Sequence, residues 1–188
     1  MVSSLRIKKS LLRKHLQKTL SGLGAVRRKA KSRKILKRFL RDPGYRKAQN
    51  IFIYISFGRE VDTKSLILRA LQDGKKVFVP RIRKAGKKIN IYRVLDLKKD
   101  LKKGAYGILE PRPMPARRGK PSQLDTVIVP GLGFDRTGRR LGRGHGYFDR
   151  FLARVRGAKK IALAFREQMV SKVPVEKHDL PVDRIITD

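Results

Sequence analysis

Apolar residues recur every three or four positions in three segments of the chain, and this spacing predicts helices. The predicted helices cover residues 5–20, 26–41 and about 62–71. In the first of them, four leucines fall on one side when successive residues turn by about 100°: Leu5, Leu12, Leu16 and Leu20. The stretch Asp42-Pro43-Gly44 is expected to end the second helix, because proline and glycine disfavour its continuation.

Short runs of Ile, Val, Phe and Tyr predict buried strands. They cover residues 51–56, 77–80, 89–94, 125–130, 160–165 and about 184–187. The first two runs flank a predicted helix, which is typical of a parallel βαβ unit. A loop with four prolines at 111–121 is predicted to lack regular structure. No repeat or linker divides the chain, so the sequence predicts a single α/β domain over residues 1–188: three layers, with a mainly parallel sheet flanked by helices.

The charge balance indicates an anionic partner. The chain has 49 Lys and Arg against 15 Asp and Glu, a formal net charge of +34 that far exceeds what solubility requires. Nucleic acids, nucleotides, phosphorylated metabolites and polycarboxylates are all anions, and composition does not choose among them. Nine of the cations lie between Arg27 and Arg41 without an acid; this run is either a solvated helix face or a landing surface for polyanions.

Composition also excludes several kinds of chemistry. Without cysteine there is no disulfide, thiol nucleophile or Cys-ligated zinc. The histidines His15, His145 and His178 match no zinc spacing, so any metal should be a hard cation bound by carboxylates. The sequence has no long apolar span and no signal-peptide core. We therefore expect a soluble protein without a membrane partner, in the cytoplasm.

A glycine-rich segment leads into one more predicted helix and is typical of a phosphate site. Gly142, Gly144 and Gly146 alternate with larger residues, and the helix that follows has an apolar face. Glycines allow close backbone approach, and a helix start offers unpaired N–H groups to an anion. Charged side chains complete the pattern, four as cationic donors and one as a carboxylate for phosphate-bound Mg²⁺: Arg139, Arg140, Arg143, His145 and Asp149.

The loop matches neither of two better-known glycine patterns. Tyr147-Phe148 follows its last glycine where a Walker loop has Lys-Ser/Thr, and no strand directly precedes it as a dinucleotide fingerprint requires. On spacing alone, a flexible basic turn that caps an ordinary helix remains an alternative.

Two further side chains are candidate site residues. Lys9 projects from the leucine side of the first helix, which predicts that it reaches inward to an anion at the border of the core; the alternative is a snorkelling surface lysine. Glu60 follows the first strand, where ligands gather in parallel sheets; the alternative is a charge that only stabilises the start of the next helix.

In this order, the segments resemble the 5-formyltetrahydrofolate cyclo-ligase family, also called 5,10-methenyltetrahydrofolate synthetases. The resemblance runs almost end to end. Its motifs are Lys9-x-x-Leu12-Arg13, Glu60-Val61-Asp62-Thr63, Gly107-Ile108-Leu109-Glu110-Pro111, Val129-Pro130-Gly131 with Phe134-Asp135, Arg140-Leu141-Gly142-Arg143-Gly144-x-Gly146-Tyr147, Asp149, and His178-Asp179-x-Pro181-Val182-Asp183.

The resemblance implies an ATP-dependent ligase of one-carbon metabolism. The formyl oxygen of 5-formyltetrahydrofolate attacks the γ-phosphate, and a second folate nitrogen then displaces phosphate, giving 5,10-methenyltetrahydrofolate, ADP and phosphate. Mg²⁺ is the implied cofactor and ATP the co-substrate. The expected enzyme is a cytoplasmic monomer whose folate substrate is polyglutamylated.

The resemblance also implies roles for individual residues. By motif position, the ATP-binding residues are Lys9, Ser10, Leu11, Leu12, Arg13, Arg140, Leu141, Gly142, Arg143, Gly144, His145, Gly146, Tyr147 and Phe148. The folate contacts are Ile55, Glu60 and Tyr147, the Mg²⁺ ligands Asp149 and Asp183, and the catalytic residues Lys9, Arg143 and His145. This set suits phosphoryl transfer, which relies on positioning and on cations around the γ-phosphate.

The sequence departs from the family pattern at two positions. His145 stands where glycine or lysine is common, and it still offers a hydrogen bond to phosphate. Phe148 replaces the second tyrosine of a Tyr-Tyr-Asp pattern and lacks its hydroxyl.

Two other functions are compatible with the sequence. The charge suggests a basic RNA-binding or ribosome-associated protein on the same fold, but there is no recognised RNA module, and the five Tyr and eight Phe lie largely in apolar runs. A family member that binds nucleotide without turnover is the other alternative. The presence of Lys9, Glu60, Asp149 and Asp183 at their motif positions argues against it.

Overall fold

The structure, a computed structural model, describes residues 4–83, 85–104, 109–176 and 179–188. Two parts of the family motifs, Gly107-Ile108 and His178, lie outside the described residues. The helices are α1 (Ser4–Gly22), α2 (Ala25–Leu40), α3 (Pro43–Arg46), α4 (Lys64–Gln72), α5 (Leu97–Asp100) and α6 (Tyr147–Leu152). The strands are β1 (Asn50–Phe52), β2 (Lys76–Arg83), β3 (Lys88–Val94), β4 (Leu101–Lys103), β5 (Leu109–Pro111), β6 (Arg118–Gly119), β7 (Thr126–Val129), β8 (Gly133–Phe134), β9 (Arg140–Leu141), β10 (Lys159–Leu163) and β11 (Arg184–Ile186).

A central sheet organises the described residues. Its seven strands follow the order β11-β10-β7-β1-β2-β3-β6, and the first five run parallel to one another. The mainly parallel α/β sheet is therefore confirmed, as is the parallel βαβ unit β1-α4-β2. The sequence did not predict that β3 and β6 run antiparallel to their neighbours. Only residues 84–87 separate β2 from β3, too few for the crossover that a parallel pair needs.

Helices cover both faces of the sheet. Side chains alternate along each strand, so apolar residues lie on both faces and each face packs against helices. Ile51 and Ile53 face the core formed with α2 and α4. Phe52, between them, faces the opposite core, where Phe151 and Leu152 of α6 pack. A smaller cluster joins α1 to β9 and to the C-terminal segment through Leu16, Leu141 and Val173.

Several predicted elements differ in extent from the observed ones: β2 continues three residues beyond its predicted end at Pro80, and β10 ends two residues before its predicted end at Phe165. The strand predicted at 51–56 ends at Phe52, because the chain then turns so that the Thr63 hydroxyl donates to the Tyr54 carbonyl at 2.6 Å and accepts from the Ser56 N–H at 2.9 Å. The proline-rich loop is not wholly irregular: it contains β6 and two short 3₁₀ turns. Within the described residues, no helix combines the length and apolar character needed to cross a membrane.

We expect Gly138→Ala to destabilise the fold much more than Gly157→Ala. The two glycines have nearly the same positive φ, +81° and +80°, so both substitutions carry the left-handed penalty of about 1–2 kcal/mol. A Cβ on Gly138 would also overlap the carbonyl oxygen of Val182, whereas nothing lies within 4 Å of one on Gly157. This overlap should add about 1–3 kcal/mol. Urea unfolding of the two variants measures the difference, and equal losses would contradict the close packing at Gly138.

Candidate functional site

The candidate site lies at the carboxyl edge of the parallel strands. The chain leaves β1 toward the turn that carries Glu60, and it leaves β7 toward the glycine loop. The short hairpin β8-β9 holds the loop, with the Leu132 N–H donating to the Leu141 carbonyl at 2.8 Å. Gly146, with a φ of +67°, then starts α6. The two segments therefore meet where ligands bind in parallel α/β sheets.

A buried aspartate fixes the hairpin turn. Asp135 accepts hydrogen bonds from the N–H of Thr137 at 3.0 Å and of Arg139 at 3.1 Å, and from the Thr137 hydroxyl at 2.7 Å. Its other oxygen accepts from the Val173 N–H at 2.9 Å, which fastens the C-terminal segment to the loop. Burial alone would raise the pKa of Asp135, but these hydrogen bonds outweigh it and lower the pKa. The family motifs alone do not predict this role of Asp135, but Asp135-x-Thr137-Gly138 is a turn sequence whose aspartate typically accepts hydrogen bonds from the following backbone N–H groups.

Lys9 is buried, as its place among the leucines predicted, and does not snorkel. Its ammonium group donates to Glu176 at 2.6 Å and to Asp179 at 2.5 Å. Burial on its own would lower the pKa of Lys9, but the hydrogen bonds and charges of the two carboxylates outweigh it and raise the pKa. The anions that Lys9 reaches in this structure belong to the C-terminal segment. Lys9 is therefore charged and held against the C-terminal segment.

Arg13 connects α1 directly to the glycine loop. Its Nε donates to the carbonyl of Gly142 at 2.9 Å across 129 positions of sequence. Leu12 lies against the small cluster that contains Leu141. The adjacent Ser10 and Leu11 are exposed. The predicted N-terminal ATP segment and the loop thus meet in space.

Arg140 points inward and not toward solvent. Its guanidinium forms an ion pair with Asp149 and donates to the Pro130 carbonyl at 3.2 Å. Its buried Nε has no hydrogen-bond partner within the described residues. The glycine-rich segment predicts Arg140 as a cationic donor for phosphate. The structure instead places it beneath the loop, where it orients Asp149.

Arg143 and Glu60 meet across the mouth of the site. Arg143 is about half-exposed and donates to one carboxylate oxygen of Glu60 at 2.8 Å. The other oxygen accepts the Phe57 N–H at 3.0 Å. Ile55, which precedes this turn, is buried in the core. The proposed catalytic cation and the proposed folate contact therefore lie side by side.

The last loop residues lead into an aromatic cluster. His145 is exposed, and its carbonyl accepts from Arg150 at 2.8 Å. Arg150 also lies over the Tyr147 ring, 5.9 Å from its centroid. Phe148 makes edge contacts with the rings of Phe52 and Phe151, both at 6.2 Å. Phe148 thus anchors α6 to the sheet by apolar packing.

The structure does not bring the two predicted metal ligands together. Asp149 lies beside Arg140, beyond the carboxyl end of β7. Asp183 is exposed and accepts the N–H of Lys160 at 2.7 Å; Lys160 pairs with Val127 near the amino end of β7. From Val127 to Pro130 the strand advances about 10 Å, at roughly 3.3 Å per residue. One Mg²⁺ ion, with ligand oxygens about 2.1 Å away, does not span that distance.

Of the two aspartates, Asp149 is the one whose position suits a Mg²⁺ ion that binds together with a nucleotide. In the parts of the chain that the structure describes, no group of three or more Asp, Glu, His or Cys side chains could hold a metal. Mg²⁺ in nucleotide sites commonly takes one or two carboxylates and completes its shell with phosphate oxygens and water. The position of Asp149 under the glycine loop is compatible with that arrangement.

Comparisons with known proteins all indicate one family. The model of the 5-formyltetrahydrofolate cyclo-ligase family matches residues 6–188. A 5-formyltetrahydrofolate cyclo-ligase from Mus musculus is 32% identical over 93% of this chain and 91% of its own length. The NMR structure of Aquifex aeolicus 5,10-methenyltetrahydrofolate synthetase superposes with a TM-score of 0.83 and 34% identity, covering 95% of this chain and 88% of that one. A 5,10-methenyltetrahydrofolate synthetase from Mycoplasma pneumoniae shares the fold, with a TM-score of 0.73 and 24% identity over 96% and 98% of the two chains.

We expect Asp135→Asn to lower stability by about 1–3 kcal/mol at pH 7, because the amide is a poorer acceptor for the buried N–H groups. The lowered pKa of Asp135 contributes stability that is fully present above the unfolded value of 3.8 and is lost as the pH falls through the folded value. The variant has no such contribution. The difference in melting temperature between wild type and variant should therefore be large at pH 7 and shrink below about pH 3.8. A difference that stays constant down to pH 2 would contradict this role.

Proposed function

The chain belongs to the 5-formyltetrahydrofolate cyclo-ligase family, and we propose that it catalyses the ATP-dependent conversion of 5-formyltetrahydrofolate to 5,10-methenyltetrahydrofolate. The observation that carries the proposal is the family match over residues 6–188. The geometry supports it, because α1, the glycine loop and the Glu60 turn meet at one edge of the sheet, as a site for two anionic substrates requires.

ATP is proposed to bind between α1 and the glycine loop. Backbone N–H groups of the loop, together with Lys9, Arg13 and Arg143, would contact the phosphates. α6 has six residues, so its dipole is small and the cations and loop amides supply most of the attraction. Leu12 and Leu141 lie next to these cations and add an apolar surface.

The folate is proposed to bind on the side of the loop formed by Glu60 and Tyr147. The Glu60 carboxylate would accept N–H donors of the pterin ring, and the half-buried Tyr147 ring would pack against it. The buried side chain of Ile55 supports this turn from below. A polyglutamate tail is part of the proposal, because the net charge of +34 favours substrates that carry more carboxylates. A monomeric, cytoplasmic enzyme remains the prediction from the sequence.

In the proposed reaction, the formyl oxygen attacks the γ-phosphorus and ADP leaves. The second folate nitrogen then attacks the activated formyl carbon, its N–H proton passes to solvent, and phosphate leaves as the new ring closes. Negative charge shifts toward the leaving ADP and then onto the departing phosphate, and Lys9 and Arg143 are placed to stabilise it. His145 would donate a hydrogen bond to the phosphates. Mg²⁺, held by Asp149, would neutralise phosphate charge when bound.

We propose that the phosphates of ATP replace carboxylates as the ion-pair partners of two cations in the site. Lys9 is paired with Glu176 and Asp179, and Arg143 with Glu60. ATP would compete for both cations, and release of Glu60 from Arg143 would leave its carboxylate for the pterin. ATP binding would thereby prepare the folate side of the site.

The direct test is the absorbance of methenyltetrahydrofolate after purified protein is mixed with 5-formyltetrahydrofolate, ATP and Mg²⁺. We expect product to form only when all three are present. Product formation without ATP, or none with ATP, would contradict the proposal.

We expect Asp149→Asn to raise the Mg²⁺ concentration needed for half-maximal activity by about tenfold or more, because the substitution removes a charged ligand but keeps an acceptor for Arg140. Asp183→Asn is the matched control: the same chemical change at the opposite edge of the sheet should leave the Mg²⁺ requirement within about twofold. Activity against Mg²⁺ concentration, measured below each variant's melting temperature, separates the two. An equal effect of both substitutions would restore Asp183 to the metal site and contradict the assignment to Asp149 alone.

A further inference from the structure

The outer face of α2 carries a row of cations that the proposed reaction does not use. Lys29, Arg33, Lys37 and Arg41 follow one another at intervals of four residues, with Lys34 beside them, and all five are exposed. We call these five residues the α2 ridge. Among the residues that the structure describes, none of the five side chains has a hydrogen-bond or ion-pair partner.

Three of the four remaining cations of the same run have structural roles, whereas the fourth, Arg27, is exposed and only approaches Glu167 at 4.0 Å. Lys31 pairs with Asp188 at 2.5 Å and with Glu167 at 3.0 Å. Arg38 donates to the Thr187 carbonyl at 2.6 Å, and Arg28 donates to the carbonyl of Leu23. These contacts fasten α2 to the connection that follows α1, to Glu167 and to the end of the chain. Packing of α2 against its neighbours therefore explains why the inner and flanking cations are present, but it does not explain the ridge cations.

The ridge also opposes helix stability. Like charges four residues apart on a helix repel one another, and the ridge contains three such pairs in succession: Lys29 with Arg33, Arg33 with Lys37, and Lys37 with Arg41. α2 contains no acid that would offset them. A bound polyanion would remove this repulsion.

We propose that the α2 ridge binds the phosphate backbone of duplex nucleic acid without sequence preference. From Lys29 to Arg41 the helix rises about 18 Å, at 1.5 Å per residue. Over that length a duplex presents a phosphate about every 1.7 Å of its axis. The ridge carries no aromatic side chain on which bases would stack, so contacts to the backbone are its mode of recognition.

The structure favours nucleic acid over an anionic membrane. A helix that binds at a membrane surface inserts an apolar face between lipid headgroups. The apolar face of α2 is already committed, because Ile35 and Phe39 are fully buried in the core. Apart from the exposed Val26 and Ala30, the outer face of α2 carries charge, which is sufficient for a duplex, whereas a single valine gives little apolar anchorage in lipid.

The test compares two variants that lose the same charge. The ridge variant carries Lys29→Gln, Arg33→Gln, Lys37→Gln and Arg41→Gln. The control carries Lys98→Gln, Lys99→Gln, Lys102→Gln and Lys103→Gln, four exposed lysines on α5 and β4. Fluorescence anisotropy with a labelled 20-base-pair RNA duplex, and with DNA of the same sequence, gives the affinities between about 50 and 200 mM salt. Circular dichroism melting, expected at or slightly above the wild-type temperature because the like charges are removed, and turnover of monoglutamyl substrate, expected to match wild type, show that the ridge variant is folded.

We expect wild type to bind both duplexes. The ridge variant should bind at least about tenfold more weakly at about 100 mM salt. Its plot of log association constant against log salt concentration should have a slope shallower by about 3 to 4. The control should lose less than about twofold. Absence of wild-type binding, an equal loss in the control, or an unchanged ridge variant would overturn the proposal. Ridge-dependent binding to phosphatidylserine vesicles but not to duplexes would assign the ridge to membranes, and displacement of duplex by an equal charge of pentaglutamate would assign it to the folate tail.

Discussion

The cations gathered at the candidate site repel one another, and the site depends on carboxylates that hold them in place. Lys9 is the clearest case: it is buried, and an unpaired buried ammonium would lose its charge or destabilise the protein. Glu176 and Asp179 prevent both outcomes. Glu60 forms an ion pair with the more exposed Arg143, and Asp149 forms one with the buried Arg140. With 15 acids for 49 Lys and Arg, carboxylates are scarce in this chain, and several of them are concentrated at this edge.

The scaffold lets these pairs form between residues that are far apart in sequence. Parallel strands direct the chain that leaves β1 and the chain that leaves β7 to the same edge of the sheet. Asp135 then fastens the loop turn to the C-terminal segment, which brings the acids to Lys9. The cluster of Leu16, Leu141 and Val173 seals the same junction with apolar contacts. Polar and apolar contacts thus fix the same three segments relative to one another.

The excess charge divides into two populations with different physical consequences. Inner cations such as Lys31 and Arg140 have partners and stabilise the packing of α2 and α6. Cations of the α2 ridge repel one another on an exposed face. The proposed catalysis at the glycine loop would use the cations around that loop and does not account for the ridge. The total net charge therefore does not describe a single function.

The sequence by itself determined the features that depend on local periodicity and on motif order. Helix phase predicted that Lys9 points inward, the apolar runs located the strands of the parallel sheet, and the glycine spacing located the loop. The family followed from the motifs, and the comparisons confirm it. Tertiary structure alone decided which side chains meet. A motif does not say at which end of a sheet its residues lie, so the separation of Asp149 from Asp183 follows only from strand order and register. The inward orientation of Arg140, the antiparallel β3 and the pairing of Lys9 with the C-terminal acids likewise depend on contacts between segments whose packing local patterns do not encode.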